Sequence, residues 1–263
     1  MRRGIEDRHW LSDRHDNPVK RSRVGAVALS FCVLLPAVGR LDAATADNHN
    51  LWLNYIGDHP FSSGPLGIHL EVQNRLSDWG RDWQQLLVRP GINYQVSKNL
   101  SASLGYGFVR TQPYGELPVA HRFDESRIWE QLLYKQDAAG LKWSHRLRLE
   151  QRWIEELKKD GSHAGWRDEQ RVRYMLRTEV PLTADKRFYV PVWNEVFVNF
   201  GPNIVGNHFD QNRAFLGVGC QLAKNFRLET GLMEQSLQKR GGKGWENNHT
   251  VTVWLSSNLP FFD

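Results

Sequence analysis

Cysteine is nearly absent from this chain of 263 residues, whose two cysteines are Cys32 and Cys220. Cys32 lies in an N-terminal apolar segment that we expect to be removed, so Cys220 has no partner for an intrachain disulfide. Phe31 stands before Cys32 where a lipoprotein has a small residue. A disulfide framework is therefore excluded, and the sequence argues against a lipid-anchored protein.

Long apolar segments are equally scarce. The run Val24–Val38 is shorter than the span of about 20 residues that a membrane helix needs, so a retained helical anchor is the weaker interpretation. Beyond Ala46 no apolar run approaches that length. If the remaining chain lies in a membrane, it has to cross as a closed barrel, because its backbone polar groups must be satisfied there.

A charge excess and the signatures of cofactor chemistry are missing as well. The formal net charge is +5, but residues 1–46 hold eight of the 34 basic and five of the 29 acidic residues, which leaves 26 against 24. A balanced chain is poor ground for nucleic-acid binding, and we expect no such partner. His163 and His208 lack metal-ligand spacing, and no P-loop or dinucleotide fingerprint is present. We therefore expect neither a metal nor a cofactor.

The N-terminus has the three-part layout of a secretory signal peptide. Basic residues at 20–23 precede the apolar run Val24–Val38, and a small-residue cleavage site ends at Ala46. We expect cleavage after Ala46, which divides the chain into a signal peptide at 1–46 and a single β-barrel domain at 47–263.

The rest of the chain alternates polar and apolar residues. In Leu141–Trp153 the odd positions are mostly apolar or aromatic, whereas the even positions are polar, and Arg167–Val180 repeats the pattern. Only a β-strand sorts side chains onto two faces with a period of two. One face suits hydrocarbon and the other suits water or ion pairs. A soluble sandwich is the competing fold.

Ten such segments have at least the length of about 9–11 residues that a tilted strand needs to cross a bilayer. They are Leu66–Leu76, Trp83–Val96, Leu100–Arg110, Glu125–Gln136, Leu141–Trp153, Arg167–Val180, Phe188–Phe200, Gln211–Leu222, Phe226–Gln235 and Asn247–Asn258. Residues 51–57 are also strand-like, and we interpret them as a partial strand or as half of a twelve-stranded variant. The sequence thus predicts an all-β protein, a single antiparallel transmembrane β-barrel of about ten strands.

Short turns and long polar loops alternate between these segments. In outer-membrane barrels the short turns are periplasmic and the long loops extracellular. The last strand then ends in the periplasm, and counting back places the N-terminal side of Leu66–Leu76 there too. Aromatic residues near segment ends are typical of interfacial belts. They are Tyr94, Tyr106, Trp143, Trp153, Trp166, Phe188 and Phe200.

Several short motifs occur in a specific order along the chain. They are Glu125-Ser126-Arg127-Ile128-Trp129-Glu130-Gln131, residues 145–152 (HRLRLEQR), Asn194-Glu195-Val196-Phe197, Asp210-Gln211-Asn212-Arg213 with Gly217 and Gly219, and Asn248-His249. In this order they resemble an uncharacterised, domain-of-unknown-function family of Gram-negative outer-membrane barrels. The resemblance covers roughly 51–258 and implies location and fold, but no activity.

The inward phase of the strands predicts a dense set of charged side chains inside the barrel. The expected lumen network consists of Glu125, Arg127, Arg146, Arg148, Glu150, Arg152, Glu169, Arg171, Arg173, Arg177, Glu195, Arg213, Arg227 and Glu229. Such long side chains meet across a narrow interior and pair bidentately. We favour a filled lumen over a cation-lined path for anionic solutes, because so many guanidinium groups would meet the facing carboxylates.

A lipid-modifying hydrolase is the alternative from another class. If Ser236 pairs with Asn247 across the last hairpin, Glu234 faces His249 and Ser236 is its diagonal neighbour. Serine, histidine and a carboxylate are the parts of an acyl-transfer site. Their place near the outer leaflet is similar to that in lipid A deacylases. A polar rim where strand meets loop is the commoner explanation, since fold analogy does not confer activity.

We therefore expect a structural or narrow-pore protein of the Gram-negative outer membrane rather than an enzyme. Its expected partners are outer-membrane lipid, lipopolysaccharide and, during biogenesis, the barrel assembly machinery. The expected state is a monomer.

Overall fold

The computed structural model describes residues 44–116 and 118–261, and over these residues it contains eleven strands and one short 3₁₀ turn, Asp78–Gly80. The strands are β1 (Ala44–Pro60), β2 (Leu66–Ser77), β3 (Asp82–Ser97), β4 (Leu100–Thr111), β5 (Phe123–Ala138), β6 (Leu141–Leu157), β7 (His163–Pro181), β8 (Phe188–Phe200), β9 (Phe209–Ala223), β10 (Phe226–Gln238) and β11 (Gly244–Ser257). Strands β2–β11 correspond to the ten predicted segments, most of them longer by a few residues.

The strands form one closed barrel in chain order. Consecutive strands pair antiparallel, and β1 closes the barrel by pairing parallel with β11 from Ala44↔Gly244 to Gly57↔Ser257. The all-β barrel prediction is confirmed and the sandwich is excluded. The prediction of ten or twelve strands is wrong, because 44–60 is a complete strand. An odd number of up-and-down strands leaves the first and last running the same way, so they can close only in parallel.

The additional strand β1 starts at the opposite end of the barrel from the start of β2. At one end, here the long-loop end, lie the start of β1 and the connections 78–81, 112–122, 158–162, 201–208 and 239–243. At the other, the short-turn end, lie the end of β11 and the connections 61–65, 98–99, 139–140, 182–187 and 224–225. The N-terminal side of β2 is at the short-turn end as expected, but β1 leads back from there to the long-loop end.

Alternation along each strand creates two opposite environments. On β6, Arg148 and Glu150 are 1% and 0% exposed, whereas Leu147 beside them is 46% exposed. The polar face therefore lines the lumen, and the apolar face covers the outside of the barrel. This distribution of side chains is the reverse of the distribution in a water-soluble protein, in which arginine and glutamate are rarely buried.

Aromatic side chains pack in the lumen beside the charges. Trp52, Trp193, Phe215 and Met233 form a buried cluster, in which the rings of Trp193 and Phe215 stack with centroids 5.2 Å apart. Trp129 is also buried in the lumen. A Cβ atom at Gly105 would lie 2.6 Å from its ring, so this close approach requires glycine.

The predicted signal peptide falls almost entirely outside the described residues. Its last three residues, 44–46, form the start of β1 and pair with 244–246 on β11. The cleavage position stays a prediction. Among the residues that the structure describes, no helix is both long enough and apolar enough to cross a membrane.

Candidate functional site

The centre of the lumen holds one carboxylate surrounded by four arginines. Glu150 on β6 accepts a hydrogen bond from Arg173 Nη1 at 2.8 Å and from Arg171 Nε at 2.9 Å. Arg89 Nη2 and Arg127 Nη1 lie 3.5 and 3.9 Å from the same carboxylate. A single negative charge thus connects strands β3, β5, β6 and β7.

Further ion pairs extend from Glu150 across the lumen. Arg89 also pairs with Glu71, and Arg173 Nη2 lies 2.8 Å from Glu195 Oε1. The members of this central ion network are Glu71, Arg89, Glu125, Arg127, Arg146, Arg148, Glu150, Arg152, Arg167, Glu169, Arg171, Arg173, Glu195 and Asp210. Buried charges of this kind are tolerated only while each is compensated, so the network holds the strands in one register.

A smaller ion cluster lies near the short-turn end. Arg177 pairs with Glu229 at 2.6 Å and with Glu179 at 2.9 Å. Arg227 lies 2.7 Å from Glu179, and the hydroxyl of Tyr189 donates to Glu229 at 2.8 Å. This cluster connects β7, β8 and β10 independently of the central ion network.

Two cavities lie on either side of the central ion network. The long-loop vestibule has a volume of about 260 Å³, and the short-turn vestibule has a volume of about 370 Å³. Gln73, Arg173 and Arg213 border both cavities, so the lumen narrows at their level. The charged side chains that border the long-loop vestibule are Arg75, Arg89, Arg127, Arg152, Arg167, Arg171, Arg173, Arg213, Lys239 and Arg240 against Glu125, Glu169, Asp210 and Glu246.

The connection between β4 and β5 covers part of the long-loop vestibule. Tyr114 borders this cavity, and its hydroxyl donates to Glu246 Oε1 at 2.8 Å. The backbone N–H of Glu116 donates to Asn48 Oδ1 at 3.1 Å, which fixes the loop to β1. Burial, together with the carboxylate of Glu246, raises the pKa of Tyr114, so its hydroxyl remains a donor. The loop therefore narrows the mouth of the barrel.

The residues of the predicted lumen network lie on the inward face, and all of them except Arg213 have an ion-pair partner. Arg213 Nε instead donates to the amide oxygen of Gln211 at 3.0 Å. The predicted network leaves out four members of the central ion network, Glu71, Arg89, Arg167 and Asp210, and the aromatic side chains of the lumen. The period of two could have found Trp129, because it follows Arg127 on the same face of β5.

The three candidate catalytic residues lie on the outer face near the long-loop end. His249 Nδ1 is 2.7 Å from Glu234 Oε2, as the predicted register of the last hairpin requires. Ser236, however, donates to Asn247 Oδ1 at 3.2 Å, and His249 Nε2 faces Asp47 at 3.8 Å. The described residues contain no hydrogen bond between Ser236 and His249, so a serine–histidine pair is not assembled here. Nor do they contain a group of three or more His, Cys, Asp or Glu side chains placed to hold a metal ion.

Comparison with known proteins places this barrel among proteins without a known activity. An uncharacterized protein of Methylorubrum extorquens is 27% identical over 232 residues, which cover 86% of this chain and 94% of that protein. Residues 49–247 match the family described as "Protein of unknown function (DUF2490)". The resemblance to a family of unknown function, inferred from the order of the strand motifs, is thereby confirmed. The chain belongs to the DUF2490 family.

Proposed function

We propose that this protein is an outer-membrane β-barrel of Gram-negative bacteria whose ion-paired lumen blocks the passage of solutes, so that its role is structural. The observation that carries the proposal is the inverted placement of charge. Glu150 and Arg148 are buried, whereas Leu104, Leu216 and Leu232 are more than half exposed on the outer face. A large apolar surface on the outside of a protein marks contact with a membrane or a partner.

The outer face also has the composition that a lipid-facing surface needs. Its exposed large side chains include Ile92, Leu132, Leu147, Tyr174 and Val218. Tyr94, Tyr106, Trp166, Phe188 and Phe200, predicted as interfacial aromatics, are exposed there as well. Glu130 is an exception on this face, and the amide of Gln151 hydrogen bonds to its carboxylate at 3.2 Å. We propose outer-membrane lipid and lipopolysaccharide as the surroundings, the barrel assembly machinery as the folding partner, and a monomer.

A closed lumen follows from the central ion network. Arg89, Arg148 and Glu150 are almost completely buried although they lie at the centre of the barrel. An open water-filled pore would leave such groups solvated. The side chains instead occupy the level at which the two vestibules meet, so the proposal favours a non-conducting barrel over an anion channel.

Membrane location is the first expected outcome. The protein expressed in a Gram-negative host should sediment with the outer membrane, and unboiled samples should migrate differently from boiled ones in detergent gels, because a closed barrel resists unfolding by detergent. A porin of the host serves as the positive control. Recovery of folded protein in the soluble periplasm would contradict the proposal.

Hydrolysis at the outer leaflet remains the second candidate, and the contact between Glu234 and His249 favours it. We expect no activity, because Ser236 is bonded to Asn247. Mass spectrometry of lipid A from a host that expresses the protein should show unchanged acyl chains. The wild-type protein should give the same lipid A as the variants Ser236→Ala and His249→Ala. Loss of an acyl chain with the wild type alone would establish the hydrolase instead.

A further inference from the structure

Two arginines share one aromatic ring at the wall of the long-loop vestibule. The guanidinium carbon of Arg75 lies 3.9 Å from the ring centroid of Trp52, and that of Arg213 lies 5.1 Å from it. Both arginines are 8% exposed, and all three side chains border the cavity. Two buried cations are thus held close together, next to empty volume.

Neither arginine has a carboxylate partner. Arg75 donates to Gln73 Oε1 through both Nε and Nη2 and to Gln85 Oε1 through Nη1 at 2.6 Å. Arg213 Nε donates to Gln211 Oε1 at 3.0 Å, and the amide oxygen of Gln235 accepts from Arg213 Nη2 at 3.2 Å. No carboxylate oxygen of the described residues lies within 4.0 Å of either guanidinium group. Amide oxygens orient an arginine without neutralising its charge. The remaining N–H donors and both positive charges are therefore available to the cavity.

The same local sequence builds both halves of this arrangement. Gln-Asn-Arg occurs at 73–75 on β2 and again at 211–213 on β9. The period of two places glutamine and arginine of each tripeptide on the lumen face. In barrel order β2 is the direct neighbour of β1, which carries Trp52, whereas β9 is separated from β1 by β10 and β11. Two identical tripeptides thus deliver two oriented guanidinium groups to one ring.

The surroundings make these unpaired charges costly unless an anion compensates them. Ten cationic side chains border the vestibule against four carboxylates, and the carboxylates behind its wall, Glu71, Glu150 and Glu195, are already engaged by other arginines of the central ion network. A buried charge without a counter-charge destabilises a fold, which leaves this pair unexplained by structure alone. Guanidinium groups are the preferred protein ligands of phosphate, because their planar set of donors matches its oxygens. A cavity of about 260 Å³ has room for such a group with a few water molecules.

We propose that the long-loop vestibule is a binding site for a phosphate group, which Arg75 and Arg213 hold jointly beside Trp52. The group is either free inorganic phosphate or the phosphate of a small phosphomonoester, since both present the same oxygens to the arginines. The site goes beyond the structural role proposed above and does not require that solutes pass through the lumen.

Calorimetric titration of the purified, detergent-folded full chain with inorganic phosphate tests this site. At constant ionic strength set by chloride, the wild type should show saturable binding. Arg75→Gln and Arg213→Gln should each weaken it by at least about tenfold, because each removes a charged hydrogen-bond donor. Arg240→Gln is the matched control, since Arg240 borders the same cavity but is half exposed at its mouth, and it should bind nearly as the wild type does.

A sugar phosphate titrated in parallel identifies the source of the phosphate group. Tighter binding than that of inorganic phosphate assigns the site to an organic phosphomonoester, and equal or weaker binding assigns it to free phosphate.

Thermal unfolding distinguishes binding from a structural role of the same arginines. Without phosphate, Arg75→Gln should unfold at the wild-type temperature or above, because it removes one of two adjacent like charges. With phosphate, only the wild type and Arg240→Gln should shift upward. Equal phosphate responses in wild type and Arg75→Gln, or a chloride response as large as that to phosphate, would overturn the proposal. So would a loss of stability in Arg75→Gln that is the same with and without phosphate.

Discussion

Replacing Glu150 by glutamine is expected to destabilise the folded barrel by about 3–5 kcal/mol, the cost of removing one partner of a buried ion network. Glutamine keeps the shape of the side chain but removes the negative charge that Arg89, Arg127, Arg171 and Arg173 all contact. These four guanidinium groups would then repel one another where water cannot screen them. Urea unfolding of protein folded into lipid vesicles, followed by tryptophan fluorescence, measures the difference.

Two further variants sharpen this test. Glu130→Gln is the matched control, because Glu130 carries the same carboxylate on the outer face of β5, and it should leave stability unchanged or higher. Adding Arg171→Gln to Glu150→Gln should recover part of the loss, since it removes one of the repelling charges. Equal stability of wild type and Glu150→Gln would show that the central ion network does not hold the barrel together.

The same variant should change conductance. Wild-type protein in planar bilayers is expected to show little or no steady current, because the central ion network occupies the lumen where the vestibules meet. Glu150→Gln should produce a leak that favours anions, since the loss of one carboxylate increases the excess of positive charge in the lumen. Large and stable anion-selective channels in the wild type would make transport the leading function.

Arginine at Leu147 is expected to cost about 2–4 kcal/mol if this position lies near the bilayer midplane. Leu147 is exposed on the outer face of β6, between Leu132 and Tyr174 on the neighbouring strands. A guanidinium group there would have to leave water for hydrocarbon. Vesicle unfolding measures this cost as well.

Ser144→Arg on the same strand supplies the control for Leu147→Arg. Ser144 borders the short-turn vestibule, so an arginine there would extend into a polar cavity rather than into hydrocarbon, although its cross-strand neighbours are Lys135 and Arg177. Its substitution should therefore cost far less. Equal costs at both positions, or tolerance of arginine at Leu147, would mean that the outer face of β6 does not contact lipid.

The closing strand shows where sequence reasoning failed in the fold. Residues 51–57 have the strand pattern, yet local alternation gives no information on whether a strand completes the barrel or is only partial. Residues 44–57 belong to the barrel because they pair in parallel with 244–257, a segment separated from them by most of the chain. The sequence prediction assumed an even number of strands. The parallel pairing of β1 with β11 gives a barrel of eleven strands instead.

In the candidate site too, the sequence predicted which side chains face the lumen but not which of them pair. The phase of β6 and β7 placed Arg148, Glu150 and Arg173 inside the barrel, because side chains alternate with a fixed period. It gave no means of choosing which arginine meets which carboxylate. Arg213 follows the same phase as Arg173, yet it lies beside Trp52 and Gln211 without an ion pair.

The positions of strands β2–β11 and the apolar face of each can be predicted from the sequence, since both depend on a period of two that neighbouring residues define. The parallel closure of β1 on β11, the four arginines around Glu150 and the two arginines without an ion pair at Trp52 are visible only in the folded barrel. Those features depend on the tilt and stagger of strands around a closed sheet, which bring together side chains that are distant along the chain.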